Sequence, residues 1–340
     1  MAFKGRKAVD PHVVMAEVVR TKQVSPNMMR VTLGGDELDR FTPAGYDQWF
    51  RLFLPRAGQD MLRLPTRTSG LWYAEYLTTP KARRPWVRNY TVRAARPDLN
   101  EIDVDFVLHA GDDDASAGAH TSGHAVGHAI AHAAEHAAGH VAGHVAGHVA
   151  GPGAGFAQAA EQGLRVGLLD QGVAYNPRHD HDWTLLVADE SGLPAIAGIC
   201  ESLPDDARGL AVVEVPTAAD AQEFRVPSGV ELRWVVRSDG GVDGGRGAAV
   251  DGAGSAGRAA VDTAAHAAVD PAAHAVPGRA ALAELCALDM AGHTGDVYAF
   301  AIGESALATG ARRHLVGERG VPKAHVDFVG YWRHGRSSPS

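Results

Sequence analysis

The chain has 340 residues, 45% hydrophobic and 21% charged, with a formal net charge of −8, enough for a large core and, at ~100–200 residues per domain, for two domains. Lys and Arg are scattered, which excludes a nucleic-acid surface. No apolar run reaches membrane-spanning length and MAFKGRKAVD is not followed by an apolar h-region, so neither a membrane span nor a signal peptide is expected and the chain is placed in the cytoplasm.

In chain order, the first third carries strand-like runs with turn punctuation: HVVMAEVVRTKQVSPNMMRVTLGG, DQWFRLFLP, WVRNYTVRAAR and EIDVDFVLHA. In the last, Ile102, Val104, Phe106 and Leu108 alternate with Glu101, Asp103, Asp105 and Val107, the period of a half-buried strand. Several short strands and few helices predict an antiparallel barrel.

Residues 112–150 and 238–278 are made largely of small side chains. Such segments bury too little apolar area to offset about 1–2 kcal/mol of backbone entropy per residue, and they read as flexible insertions. In the first, a histidine recurs every fourth residue from His120 to His148. On a helix such residues drift by about 40° per step, a slowly winding stripe able to bind Zn, Ni or Cu weakly. No thiol or carboxylate recurs with them and glycine interrupts the helix, so no closed metal site is expected.

Beyond residue 180 the rhythm changes to alternating strands and helices. WTLLVAD, GLAVVEV, ELRWVV, DVYAFAIG and AHVDFVGYW read as strands, while SGLPAIAGICESL, RAALAELCALDM and ESALATGARRHLVGERG read as helices. That order predicts a mainly parallel sheet with helices on its faces. Ligands on such sheets lie beyond the carboxyl ends of the strands, here near Asp189–Ser191 and Gly303–Glu304. Only Cys200 and Cys286 occur; the count excludes a disulfide framework, and both are expected to be buried packing residues.

Arg88-Asn89-Tyr90-Thr91 lies on one predicted strand, where the period of two puts Arg88 and Tyr90 on one face. A guanidinium can pair bidentately with a pyrophosphate, and a tyrosine can pack on a flavin ring. Taken alone, the tetrapeptide equally describes a strand arginine beside a packed tyrosine. The ordered set RNYTVR, IDVDFVLHAG, GPGAGFAQAA, WTLLVADESGLPAIAGICESL and GDVYAFAIGESALATGARRHLVGERGVPKAHVDFVGYWRHG closely resembles the siderophore-interacting protein family, the FAD-containing ferric-siderophore reductases, over nearly the full chain apart from the two low-complexity segments.

The resemblance implies a ferredoxin-reductase-like β + α/β chain: an antiparallel FAD-binding β-barrel over residues 1–170, then an α/β nucleotide-binding domain over 171–336. It places Arg88 on the FAD phosphates, Tyr90 against the isoalloxazine, Thr91 near its reactive nitrogen and Asn89 between them. Asp105, Val107, Leu108 and His109 are implied along the phosphate and adenosine portion. Gly151, Gly153 and Ala154 form the turn into a helix whose amides meet phosphate. The family serine of that turn is Ala154 here, which removes one hydroxyl donor.

Asp189, Glu190, Ser191, Gly303 and Glu304 are implied to meet a nicotinamide nucleotide, although Ser191 among acidic residues also looks like an ordinary helix cap. The absence of a Gly-x-Gly-x-x-Gly fingerprint suits a transient NADH or NADPH donor. Tyr331 and Trp332 pack either near the flavin or in the core. Arg63, Arg67 and Arg333 are candidates to hold an anionic ferric siderophore, each also readable as a solvated charge. No catalytic proton shuttle and no resident metal are expected. The implied function is electron transfer from NAD(P)H through FAD to Fe(III)-siderophore, releasing Fe(II). The alternatives are an FAD-dependent reductase of a quinone, free flavin or redox protein, and a non-enzymatic His-rich metal binder.

Overall fold

The computed structural model describes residues 5–56, 59, 62–67, 71–108, 151–237, 276–290 and 296–335. The segment 112–150 with its histidine run, and 238–275 of the second insertion, lie outside the described residues. The chain divides into two compact units, one running to Asn176 and the other Pro177–His334.

The first unit is a seven-stranded, wholly antiparallel sheet in barrel-like order β4-β3-β7-β1-β2-β6-β5. Its strands are β1 (Val13–Ser25), β2 (Met28–Gly34), β3 (Trp49–Leu54), β4 (Trp86–Thr91), β5 (Ala94–Arg96), β6 (Glu101–Val107) and β7 (Arg165–Gly172). Two helices belong to it, α1 (Leu71–Thr78) and α2 (Pro152–Ala159). Val14, Val31, Leu33, Phe50, Leu52, Val104, Phe106 and Leu168 fill the interior. Phe53 and Leu169, from the opposite faces of β3 and β7, pack instead with Trp72 and Tyr76 of α1.

β7 has no counterpart among the strands expected from sequence, yet it pairs with both β1 and β3 and so joins the two halves of the sheet. The boundary expected after residue 170 would cut this strand; the two units separate after Asn176. β6 departs from its half-buried pattern too. Asp103 and Asp105 are only 6% and 5% exposed. Arg30 pairs with Asp105 at 2.7 and 2.8 Å, and Arg96 with Asp103 at 2.7 and 2.6 Å. Long arginine stems thus cover the strand's polar face.

The second unit is a five-stranded, wholly parallel sheet, β10-β9-β8-β11-β12, comprising β8 (Trp183–Ala188), β9 (Arg208–Val215), β10 (Gly229–Val236), β11 (Val297–Glu304) and β12 (Val326–Trp332). The helices are α3 (Leu193–Ser202), α4 (Arg279–Ala287) and α5 (Ser305–Arg313), which ends in one π turn over His314–Glu318. β8 and β11 are buried along their whole lengths, which explains their continuous apolar runs. The chain grows from β8 to one edge, then returns to β11 on the other side. This makes β8/β11 the topological switch point.

Cys200 is buried but Cys286 is exposed, a correction to the expectation for that residue. Ala281 and Leu285 of α4 are buried in the core on the sheet, with Leu282 packed beside them, and Cys286 lies off that face. Among the described residues no helix is long and apolar enough to cross a membrane, and no group of three or more His, Cys, Asp and Glu could hold a metal ion.

Phe106 is fully buried, with its ring 4.3 Å from that of Tyr90 and 5.5 Å from that of Phe156. Phe106→Ala is expected to lower unfolding stability of the first unit by about 3–5 kcal/mol, read by urea denaturation; a change below about 1 kcal/mol would mean that the ring is not a keystone of this core.

Candidate functional site

On the first unit the site follows from strand register. β3 and β4 pair with Phe50 opposite Tyr90, Leu52 opposite Arg88 and Leu54 opposite Trp86. Facing residues of an antiparallel pair share a side. Because Phe50, Leu52 and Leu54 belong to the interior core, Trp86, Arg88 and Tyr90 form one row on that face. Thr91 is buried opposite Trp49, and Asn89 is exposed opposite Arg51.

α2 begins against this row. Gly151 is its N-cap and Pro152 occupies the first turn, where a missing N–H costs no helical bond. A Cβ on Gly153 would come within 1.9 Å of the Tyr90 hydroxyl oxygen, so only glycine lets the helix start approach this closely. No side chain caps the helix start, and its first-turn amides point outward as donors. Ala154 is buried and brings no hydroxyl.

Arg88 donates Nη1 to the Val87 carbonyl at 2.8 Å, and its guanidinium carbon lies 5.5 Å from the Trp86 ring centroid. Burial lowers its pKa and also pushes the Tyr90 phenol up. Arg56 lies on the other side of the expected motif, its guanidinium carbon 3.8 Å over Trp86. Among the described residues neither arginine has a carboxylate partner, in contrast to Arg20, Arg30 and Arg96. Two uncompensated guanidinium groups, a helix start and a tyrosine in one row suit a ligand with a diphosphate and a flat ring, as FAD has.

The other residues expected here are placed differently. Asp105 and Val107 lie on the face of β6 opposite to Phe106, with Asp105 held by Arg30. Leu108 packs on the interior core, and His109 lies outside the described residues. Arg63 and Arg67 are exposed on the segment before α1, where Glu75 accepts from the Arg67 amide at 3.1 Å. Arg333 is exposed after β12. Sequence reasoning missed Trp86 and Arg56. The signal was the same alternation, carried two and four residues further along the paired strands.

In the second unit, Asp189, Ser191, Gly303 and Glu304 meet at the carboxyl ends of β8 and β11. Asp189 is fully buried. Its Oδ1 accepts from the Ser191 amide at 2.9 Å and hydroxyl at 2.5 Å, and its Oδ2 from the Glu304 amide at 2.6 Å. Asp189 therefore staples the two strand ends. Gly303 has φ +120°, and a Cβ there would meet Asp189 Oδ1 at 2.4 Å.

Glu304 caps α5 through the Ala306 and Leu307 amides and accepts the His334 amide at 3.1 Å. Glu190 is ion-paired to Arg237, which also holds Glu214 at 2.7 Å. Trp332 Nε1 donates to the Ser191 hydroxyl at 3.0 Å, which places Trp332 in this cluster, while Tyr331 is half-buried on the same strand. Ser191 is the half-buried polar side chain at the strand ends; the carboxylates beneath it hold the loop in shape. Burial, with Glu190 beside it, pushes the Asp189 carboxyl up to about 7.

Residues 181–335 match the siderophore-interacting protein family, and residues 17–138 the siderophore-interacting FAD-binding domain. An uncharacterized protein of Mycobacterium tuberculosis is 33% identical over 324 residues, 94% of this chain and 90% of that protein. The ferric vibriobactin reductase ViuB of Vibrio cholerae is 28% identical over 225 residues, 66% of each. An NADPH-dependent ferric-chelate reductase of Escherichia coli is 25% identical over 230 residues, 66% of this chain and 72% of that one. The crystal structure of a siderophore utilization protein from T. fusca superposes with a TM-score of 0.65 at 26% identity, covering 98% of this chain and 97% of that one.

Gly303→Ala is expected to destabilise the second unit by about 1–3 kcal/mol through strain and the clash with Asp189; a wild-type melting profile would show that the loop yields freely. A raised carboxyl pKa stabilises the fold below the ordinary Asp value of 3.8 and loses that contribution as pH rises through about 7. Asp189→Asn should flatten the fall in unfolding free energy across this window. An unchanged slope would assign the pH dependence to another group.

Proposed function

The chain belongs to the siderophore-interacting protein family, and from that premise we propose that it is an FAD-dependent ferric-siderophore reductase using a reduced nicotinamide nucleotide as donor. The observation that carries this reading is the row Trp86, Arg88, Tyr90 beneath the start of α2, a cationic and aromatic face with no carboxylate partner among the described residues. The names of the Vibrio and Escherichia relatives support ferric chelates as the acceptor class.

Held by Arg88, Tyr90 and the α2 amides, FAD would supply two-electron uptake from NAD(P)H and one-electron delivery to Fe(III), a stoichiometry of two iron ions per nucleotide. The chain's own part is to bind and orient. Arg88 and the α2 amides would hold the diphosphate, Tyr90 would present its ring to the flavin, and Thr91 would offer a hydroxyl at the end of the same strand. Ser191, on the loop stapled by Asp189, would receive the nucleotide at the switch point. Hard oxygen ligands hold Fe(III) more strongly than Fe(II), so reduction itself loosens the metal from its chelator, and no proton-shuttling dyad is needed.

Arg88→Ala should weaken FAD by about 1.5–3 kcal/mol, the worth of a charge-assisted hydrogen bond, as read by flavin fluorescence titration; unchanged affinity would remove Arg88 from the cofactor site. Steady-state turnover with NADH or NADPH, comparing a ferric siderophore with a quinone and free flavin, tests the acceptor. A higher kcat/KM for the ferric siderophore is expected, and preference for either other acceptor contradicts the proposal. Deleting residues 113–150 is expected to retain flavin and turnover. A deletion variant that keeps flavin but no longer reduces ferric chelate would give the histidine run a role in the reaction.

A further inference from the structure

One guanidinium nitrogen of Arg56 is buried without a hydrogen-bond partner among the described residues. Arg56 lies two residues past β3, whose last paired residue Leu54 faces Trp86, and its guanidinium reaches the Trp86 ring. Its Nε donates to the Arg84 carbonyl at 2.6 Å, and its backbone amide donates to the Gln59 side chain at 2.9 Å. Its Nη2 is buried with no partner. The guanidinium stacks 3.8 Å over Trp86, whose ring is also approached by Arg88 at 5.5 Å. Each positive charge disfavours the other, and Arg56 contributes to the lowered pKa of Arg88. The neighbouring Arg84 differs, since it donates to the Thr79 and Leu77 carbonyls at the end of α1.

An unpaired buried N–H and two like charges on one indole both cost stability. No described carboxylate offsets them. A dianion in this place would satisfy the free N–H and remove the repulsion in one step. We propose that Arg56 and Arg88, both gathered at Trp86, together hold the diphosphate of FAD, Arg56 standing in for the hydroxyl donor that Ala154 lacks. This rests on the reading of β4 as the flavin strand. It assigns to Arg56 a ligand contact that the Arg88-Asn89-Tyr90-Thr91 motif does not contain.

The test titrates the full-length apoprotein with FAD and with riboflavin, which lacks phosphate, for wild type, Arg56→Gln, Arg56→Lys and Arg88→Gln. Arg56→Gln should weaken FAD by about ten- to a hundredfold, the worth of one charge-assisted contact, and leave riboflavin within about twofold of wild type, the scatter expected for a group it does not touch. The dependence of FAD affinity on salt should become shallower, because one cation has gone. Arg56→Lys should keep the charge but lose the fork and fall between the two; it also carries the test if the glutamine variant does not fold.

Unchanged FAD affinity in the Arg56 variants, with Arg88→Gln impaired, overturns the proposal and leaves Arg56 as an anchor of its loop. Equal losses for FAD and riboflavin overturn it too, because they indicate loop damage instead of a phosphate contact. A raised KM for a ferric chelate with FAD affinity intact would move Arg56 to the acceptor and overturn it as well. If neither Arg56 nor Arg88 variants change FAD affinity, the flavin reading of β4 fails along with it.

Discussion

The pairing register of β3 with β4 is the constraint on which the cofactor face depends. A strand allows no side chain to choose its face independently of its neighbours two residues away. Once Phe50, Leu52 and Leu54 are committed to the interior, Tyr90, Arg88 and Trp86 must share their side. A one-residue slip would turn all three outward and bring Val87 and Asn89 inward. The apolar core of the first unit thus fixes the position of a polar binding row, and Gly153 admits the start of α2 to that row at a distance no other residue permits.

The second unit is organised by a buried carboxyl group in place of an apolar register. Asp189 sits at the reversal between β8 and β11 and takes donors from both strand ends. Removing a carboxylate from water is unfavourable unless its lone pairs are occupied. Four donors meet it here, two of them from Ser191. Glu190, Glu214 and Arg237 form a second buried set alongside. Asp189, Glu190 and Glu304 all make contacts that shape this loop, and the Ser191 hydroxyl bridges Asp189 and Trp332 at its half-buried surface.

The legibility of these two sites in the sequence differed for physical reasons. The parallel sheet was readable because strands buried on both faces, such as Val297–Glu304, are continuous apolar runs with helical segments between them. The strand carrying Arg88 and Tyr90 was readable because its period is short and local. β7 was not, since its pairing partners β1 and β3 lie more than a hundred residues earlier and Arg165–Gly172 carries two glycines and an aspartate. The burial of Asp105 depends on Arg30 reaching over from β2, 75 residues earlier in the chain, and that of Asp103 on Arg96 from the neighbouring strand β5, a pairing that the alternation along β6 alone does not reveal. Cys286 misled because an apolar neighbourhood in sequence became two faces of a short helix. Arg56 escaped notice because a long segment separates it from the motif to which it is adjacent in space.

The most direct test of FAD-dependent ferric reduction is an anaerobic absorbance spectrum of the purified protein, taken after NADH or NADPH and again after a ferric siderophore with an Fe(II) chelator present. Flavin bands are expected to bleach with the nucleotide and to return as the Fe(II) chelate appears, two Fe(II) for each nucleotide consumed. A protein that takes up no FAD, or whose bleached bands do not recover with ferric siderophore, would contradict the assignment.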